Sequence, residues 1–435
     1  MALYSFYGDD FTGSTDVLEV LATAGVRSVL FLRVPSEEHR RRFSDTEAFG
    51  IAGTSRSHSP QWMDEHLPEV FAQLRAFGAP IVHYKTCSTF DSSPQVGSIG
   101  RAMEIGRHSL EPAFVPIVVA APHLRRYVAF GNLFAAAAED EIWRIDRHPT
   151  MSRHPVTPMH EADLRQHLAA QTSLRIGLID LPTLRSGSAA AALSARLGAG
   201  DAAILFDGVG PDDLADTGRL LWHYAQAKPL FAVGSSGLTY GLLPMWRRAE
   251  LAPREFEEPR ASAVDSLLVM SGSCSPVTER QIRNATHSGY ALIALDPDEL
   301  LDPDRGADAA RLYVREAITA LSRYRKVVLY SALGPLPSGA PPHSDELGCR
   351  MGVMLREIIV ETGVRRVLLA GGDTSSHAVS QLGMHALSWK ASVQPGAPLC
   401  RAHAEARELD GLELVLKGGQ VGSDDFFERV RLGSR

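Results

Sequence analysis

The residues that could do chemistry in this chain sit just after short apolar runs. The first such stretch is Gly8-Asp9-Asp10-Phe11-Thr12-Gly13-Ser14-Thr15-Asp16. Adjacent carboxylates can accept hydrogen bonds from substrate hydroxyls, or one of them can act as a general base. Two carboxylates at one sheet edge repel unless something bridges them, and the competing reading is one helix cap plus one solvated acid. Arg56 follows another apolar run, and its planar fork suits a carboxylate, with an exposed surface arginine as the plain alternative. Lys85-Thr86-Cys87-Ser88-Thr89-Phe90-Asp91 puts a lysine before a crowd of hydroxyls and reads as a third wall of the same polar pocket. Cys87 has no base beside it and reads as a packing residue.

A second group of turns is rich in glycine and serine. These are Ser271-Gly272-Ser273, Gly371-Gly372-Asp373-Thr374 and Lys417-Gly418-Gly419, each after a buried run. A helix N-terminus carries about half a positive charge and unpaired N–H donors, so it suits phosphate. One such turn is ordinary capping, but three that converge on one sheet edge make a phosphate or nucleotide cradle. Neither GxxxxGK[ST] nor GxGxxG after a strand occurs, so a nucleotide would be held by a different arrangement.

The elements that must position these residues alternate strand and helix. Strands are expected over 2–7, 28–32, 48–52, 80–84, 115–121, 175–179, 202–206 and 229–233. The second half adds strands over 266–270, 326–330, 365–370 and 412–416. The opening reads as βαβ, the unit of a parallel sheet, whose ligands sit beyond the carboxyl ends of the strands. The stretches 127–132 and 146–159 are loop-rich and read as a substrate-covering element, with His148, His154 and His160 too irregular for a metal cluster. The segment 296–308 reads as solvated surface. Residues 250–265 are charged, proline-bearing and aperiodic, and are expected to link a domain over 1–250 to one over 266–435. The fold class is therefore α/β, with two domains, each a mostly parallel sheet flanked by helices.

Composition narrows the function. A net charge of −7 argues against nonspecific nucleic-acid binding, and no apolar run approaches a membrane span. The N-terminus lacks the basic flank and apolar core of a signal peptide. Four scattered cysteines form no CxxC pair and fit a reducing cytoplasm, and no HExxH occurs. A cytoplasmic enzyme of small-molecule metabolism is expected.

Taken together, the motifs resemble the four-carbon acid sugar kinase family from end to end. Gly8-Asp9-Asp10-Phe11-Thr12-Gly13 is similar to its ADDxTG turn, with Gly8 for alanine. Lys85-Thr86-Cys87-Ser88-Thr89 is similar to its KTDST segment, with Cys87 where an acid is common. Ser271 to Ser275 is its SGSCS, Gly371 to Ser375 its GGxTS, and Lys417 to Gly422 resembles its KSGxFG. The resemblance implies an N-terminal sugar-acid-binding domain, a C-terminal nucleotide-binding domain and an active site in the cleft between them. It also implies ATP-dependent phosphorylation of a hydroxyl on a sugar acid such as threonate, erythronate or an oxo-tetronate. Cys87 and the extended segment from Phe90 to Gly100 point towards a branched acid such as an oxo-isoapionate.

By the same resemblance Asp9 or Asp10, Arg56, Lys85, Thr86, Cys87 and Ser88 hold the acid. Ser271, Gly272, Ser273, Gly371, Gly372, Asp373, Thr374, Gly418 and Gly419 hold ATP. Asp10 is preferred over Asp9 as the base because it is nearer the helix start, and Asp373 is a candidate for Mg²⁺. The expected partners are ATP and a small sugar acid, without nucleic acid or membrane, and a homodimer is left open. The competing readings are a sensor that binds both ligands without turnover, and a serine hydrolase, which the lack of a GxSxG elbow disfavours.

Overall fold

The structure is a computed structural model that describes residues 2–137, 141–154, 156–335 and 345–433. Its first strands are β1 (Tyr4–Gly8), β2 (Ser28–Phe31), β3 (Ala48–Ala52), β4 (Ile81–Lys85), β5 (Val115–Val118) and β6 (Arg126–Ala129). Next come β7 (Asn132–Ala136), β8 (Ile142–Arg144), β9 (Ile176–Ile179), β10 (Ala203–Phe206), β11 (Leu230–Gly234) and β12 (Leu267–Ser271). The last are β13 (Ala291–Ala294), β14 (Lys326–Tyr330), β15 (Arg366–Ala370), β16 (Met384–Ala391), β17 (Leu399–Ala404) and β18 (Glu413–Lys417).

The chain divides into two compact units. One comprises residues 1–9, 20–28 and 44–256, and the other 10–19, 29–43 and 257–435. The main division falls between Phe256 and Glu257, in a stretch without helix or strand.

In the first unit the strand order is β3-β1-β4-β11-β5-β10-β9, and every neighbouring pair is parallel. Parallel strands covered on both faces must be apolar on both, and β1, β4, β10 and β11 are buried along their whole length. The helix Pro60–Ala76 shows how the covering layer is encoded. Ser59 caps it by accepting the Trp62 N–H, Pro60 starts it, and Met63, Leu67, Phe71 and Leu74 make its buried stripe. Phe71 stands edge-on to Tyr7, Tyr84 and Phe231, joining the helix to three strands. Such a fully buried phenyl ring contributes about 1.5–3 kcal/mol.

The second unit has the order β13-β14-β12-β15-β18-β17-β16-β2. The run from β13 to β18 is parallel, whereas β17, β16 and β2 add on antiparallel. Its core packs Leu267, Val269, Ile282, Val328, Leu368 and Phe426 together.

Two expectations need correction. The opening is not a simple βαβ unit, because β1 pairs with β3 and β4 in the first unit. Leu30 and Phe31 of β2 instead pair antiparallel with Leu387 and Ala386 in the second. The stretch 127–132, read as loop, instead holds most of β6 and the first residue of β7, which with β8 form a three-stranded antiparallel sheet, while the described residues of 146–159 hold no strand. The acidic segment after β13 is solvated surface as expected, with Asp298, Glu299, Asp304 and Asp308 exposed, and it is ordered by its own acids. Asp296 caps the helix Pro297–Leu301, and Asp302 accepts the N–H groups of Asp304 and Arg305. No helix among the described residues is long and apolar enough to cross a membrane.

Candidate functional site

Asp9 and Asp10 are both buried, yet they belong to different units. Asp9 closes β1. Its N–H donates to Lys85 O (2.9 Å) and its carbonyl accepts the Arg56 N–H (3.1 Å), tying together the ends of β1 and β4 and the turn after β3. Arg56 then clasps the Asp9 carboxylate side-on, Nη2 to Oδ1 at 2.7 Å and Nε to Oδ2 at 3.2 Å. The fork expected to face a substrate carboxylate is thus engaged by the protein's own acid.

Asp10 starts the helix Phe11–Thr23. Its Oδ1 accepts the Gly13 N–H (2.7 Å) and its Oδ2 the Thr12 hydroxyl (2.8 Å), so part of the competing reading, a cap, is what this carboxylate does locally. The same Oδ2 borders the Gly371–Gly372 turn, 3.7 Å from where a Gly372 β-carbon would stand. The Phe11 N–H donates to Ser376 Oγ on the helix that this turn begins.

In the first unit the carboxyl ends of β4, β11 and β5 are stitched together. The Thr86 N–H donates to Gly234 O (2.7 Å), and the Ser235 N–H to Val118 O (3.0 Å). Below them His83 is wholly buried, which pushes its pKa down to about 3. A neutral ring must then donate from Nε2 to Gly234 O and accept the Tyr4 hydroxyl at Nδ1. Lys85 and Thr86 are buried, while Cys87 and Ser88 are half-buried.

The sequence placed Thr89 and Asp91 in this wall but missed Thr157, which continues it. Thr89 donates its hydroxyl to Asp91 Oδ1, and Thr157 donates to Asp91 Oδ2 at 3.0 Å. Burial pushes the Asp91 carboxyl up, but Arg56, His154 and the two hydroxyls more than reverse this, leaving it below the usual carboxylate range. Thr157 comes from the segment after the small sheet, so only the fold brings it to Asp91. Phe90 between them is buried with φ 56°, a left-handed backbone that costs roughly 1–2 kcal/mol for a non-glycine residue.

In the second unit the three small-residue turns meet, as their spacing along the sheet requires. Gly371 holds φ 116°, with its N–H on Lys417 O (3.0 Å) and its carbonyl accepting the Ser375 N–H (2.9 Å) at the start of the turn's helix. A β-carbon on Gly371 would press on Ser273 N (3.2 Å), and one on Gly419 would stand 2.9 Å from Ser273 Oγ. Gly272 N–H donates to Ala370 O, and Ser271 Oγ accepts the Ser273 N–H. Gly418 continues the same loop. The side chains of Asp373 and Thr374 lie outside the described residues, so the Mg²⁺ assignment to Asp373 has no geometry here.

Lys417 was quoted in its motif but not as a site residue. It is buried, and its ammonium donates to Thr278 Oγ1 (2.9 Å) and to the carbonyls of Gly418 (3.0 Å) and Gly419 (3.3 Å). Burial pushes its pKa down to about 7. Because peptides are planar, carbonyls drawn towards the lysine leave the following N–H groups facing the other way. A lysine run into paired glycines was the available signal.

One His–His–Glu grouping exists among the described residues, of His39, His385 and Glu405. The two imidazoles stack face to face (4.1 Å, 4°), and Arg42 pairs with Glu405, so it is a packed ion-pair cluster.

Comparison with known proteins finds matches along nearly the whole chain. Residues 4–242 match the family model described as a sugar-binding N-terminal domain, and 268–427 the one described as a nucleotide-binding C-terminal domain. The chain is 45% identical to a 3-oxo-isoapionate kinase of Paraburkholderia graminis, over 99% of this chain and 94% of that protein. It is 31% identical to a 3-oxo-tetronate kinase of Methylobacterium radiotolerans, over 97% of each. Among solved structures, a Salmonella typhimurium LT2 protein described as a candidate tRNA synthase shares the fold at TM-score 0.78, with 24% identity and 99% of both chains covered. A Haemophilus influenzae protein of family model DUF1537 does so at TM-score 0.68, with 23% identity, covering 98% of this chain and 99% of that one.

Proposed function

Because the chain belongs to the four-carbon acid sugar kinase family, we propose that it transfers the γ-phosphoryl group of ATP to a hydroxyl of a branched 3-oxo sugar acid of the isoapionate type. The protein is a sugar-acid kinase. The choice of acid rests on the 45% identity, spanning 99% of the chain, to the 3-oxo-isoapionate kinase. The 3-oxo-tetronate kinases match at 31% or less.

Phosphoryl transfer is mainly positioning and charge stabilisation. The turns at Ser271–Ser273, Gly371–Gly372 and Gly418–Gly419 would cradle the ATP phosphates. The close approaches at Gly371 and Gly419 leave no room for a side chain, as a backbone cradle requires. A Mg²⁺ ion, for which Asp373 is the candidate ligand, would neutralise charge on the phosphate oxygens. On the acceptor side Lys85, Thr86, Cys87 and Ser88 would line the acid, with Asp9 and Arg56 fixing the turns that carry them. The acceptor oxygen bonds to the γ-phosphorus as the bond to the β-bridging oxygen breaks, and ADP leaves. The hydroxyl proton passes to a carboxylate, for which Asp10 is the candidate. The free thiols of Cys87, Cys274, Cys349 and Cys400 support a cytoplasmic location.

The test is ADP release from Mg-ATP with 3-oxo-isoapionate, 3-oxo-tetronate, threonate and erythronate, against a no-acid control. Turnover should depend on the acid and be fastest with 3-oxo-isoapionate. Asp10→Asn, which keeps the cap, should lower turnover by about 10²–10⁴ while ATP affinity changes little. No acid-dependent release with any of these acids would overturn the assignment.

A further inference from the structure

We propose that Arg126 binds the carboxylate of the sugar acid, through the Nε and Nη2 edge of its guanidinium. The inference rests on the sugar-acid kinase reading and adds the anion-binding residue that reading lacks.

Arg126 is the first residue of β6, just beyond the carboxyl end of β5. Its backbone exchanges hydrogen bonds with Ala121, N–H to O at 3.1 Å and O from N–H at 2.9 Å, which fixes it at that edge. Its Nη1 is spent on the carbonyls of Leu124 (2.8 Å) and Arg125 (3.2 Å). Nε is shut away from water with no hydrogen-bond partner. Among the described residues no carboxylate forms an ion pair with this arginine, and no acceptor meets Nη2. Cys87, in the turn after β4 that the proposed function gives to the acid, is near enough to act on this charge.

Arg56 supplies the internal comparison. It presents the same Nε and Nη2 edge at the neighbouring part of the sheet rim, and that edge is filled by the Asp9 carboxylate. Parallel N–H donors on one guanidinium edge are the geometry that binds a carboxylate in two bonds. A shielded cation with unmade bonds destabilises the fold unless an anion completes it. The lowered pKa of Arg126, caused first by burial, expresses the same deficit. Asp9 satisfies Arg56 from within the chain, whereas the anion that satisfies Arg126 comes from outside. A sugar acid entering beside Cys87 brings one.

The experiment compares the full-length protein with Arg126→Gln and Arg126→Lys, using 3-oxo-isoapionate and 3-oxo-tetronate. The readouts are ADP release, and thermal stabilisation by the acid alone without ATP. Loss of a charge-assisted two-bond contact should raise KM for the acid about 30–100-fold, leave KM for ATP within threefold and abolish the acid-induced thermal shift. Arg126→Lys keeps the charge but not the fork and should fall between the two. An unchanged acid KM in Arg126→Gln, with wild type turning over normally, would sink the role of Arg126 and leave the kinase reading standing. Equal losses in acid and ATP KM would mark a structural residue and also refute it. Wild type that neither turns over nor is stabilised by either acid would instead overturn the underlying reading.

Discussion

At the scale of single residues, a buried charge is defined by what completes it. Asp9 is completed by Arg56, Asp10 by the start of a helix, and Lys417 by backbone carbonyls. For Glu19 the completion falls short of the cost of burial. Burial first, and then the nearby acids Asp16 and Glu258, outweigh its bonds from the Gly396 N–H and Ser392 and push its pKa up to about 8. Between about pH 4.5 and pH 8 the folded chain therefore holds a proton that the unfolded chain has released. Stability conferred by this group is complete below that window and is lost as pH rises through about 8. Glu19→Gln, which imitates the protonated acid, should flatten this dependence. Denaturant unfolding at pH 5.5 and 8.5 should show the variant gaining about 2–4 kcal/mol relative to wild type at the higher pH. Equal slopes in the two proteins would mean that Glu19 is ionised in the fold.

At the scale of elements, the cradle depends on turns that touch each other. Gly419→Ala puts a methyl group 2.9 Å from Ser273 Oγ and 3.0 Å from Ser275 Cβ, so one turn must move away from another. Overpacking of this size costs about 1–3 kcal/mol, so ATP affinity should fall roughly tenfold or more while acid-induced stabilisation is unchanged. Calorimetric titration with ATP decides it, and wild-type affinity would show that the turn plays no part in the cradle. The elements themselves were largely legible. β3 and β14 run over the residues expected, and the other anticipated strands differ by up to three residues at an end. What escaped was β13, a parallel strand at the sheet's edge, and the antiparallel strands β6, β7, β8, β16 and β17. Trp143 and Phe130 are exposed, and β8 is exposed throughout, so the small sheet lacks the two-sided burial that marks the parallel strands.

At the scale of the whole molecule, chain order and compact unit do not coincide. Residues 10–19 and 29–43 belong to the unit formed mostly by 257–435. There β2 pairs with β16, Glu19 accepts the Gly396 N–H, and Phe11 N–H reaches Ser376. A fragment of 257–435 alone leaves the β16 edge and these partners unmade. It should lack the cooperative thermal transition and dispersed amide spectrum of an intact fold, and an independently folded fragment would show that the N-terminal segments are dispensable.

The local pattern by itself determined where strands end and which turns carry hydroxyls, acids and glycines, because buried parallel strands must be apolar and their ends must not be. It also carried the family, since that resemblance lies in short contiguous motifs. Only the tertiary structure decided that Asp9 would occupy Arg56, that Asp10 would join the other unit, and that Thr157 would complete Asp91. It likewise left Arg126 beside Cys87 with its donor edge unmet. Those outcomes depend on which distant group reaches a charge first, and spacing along a chain does not encode distance across a sheet edge.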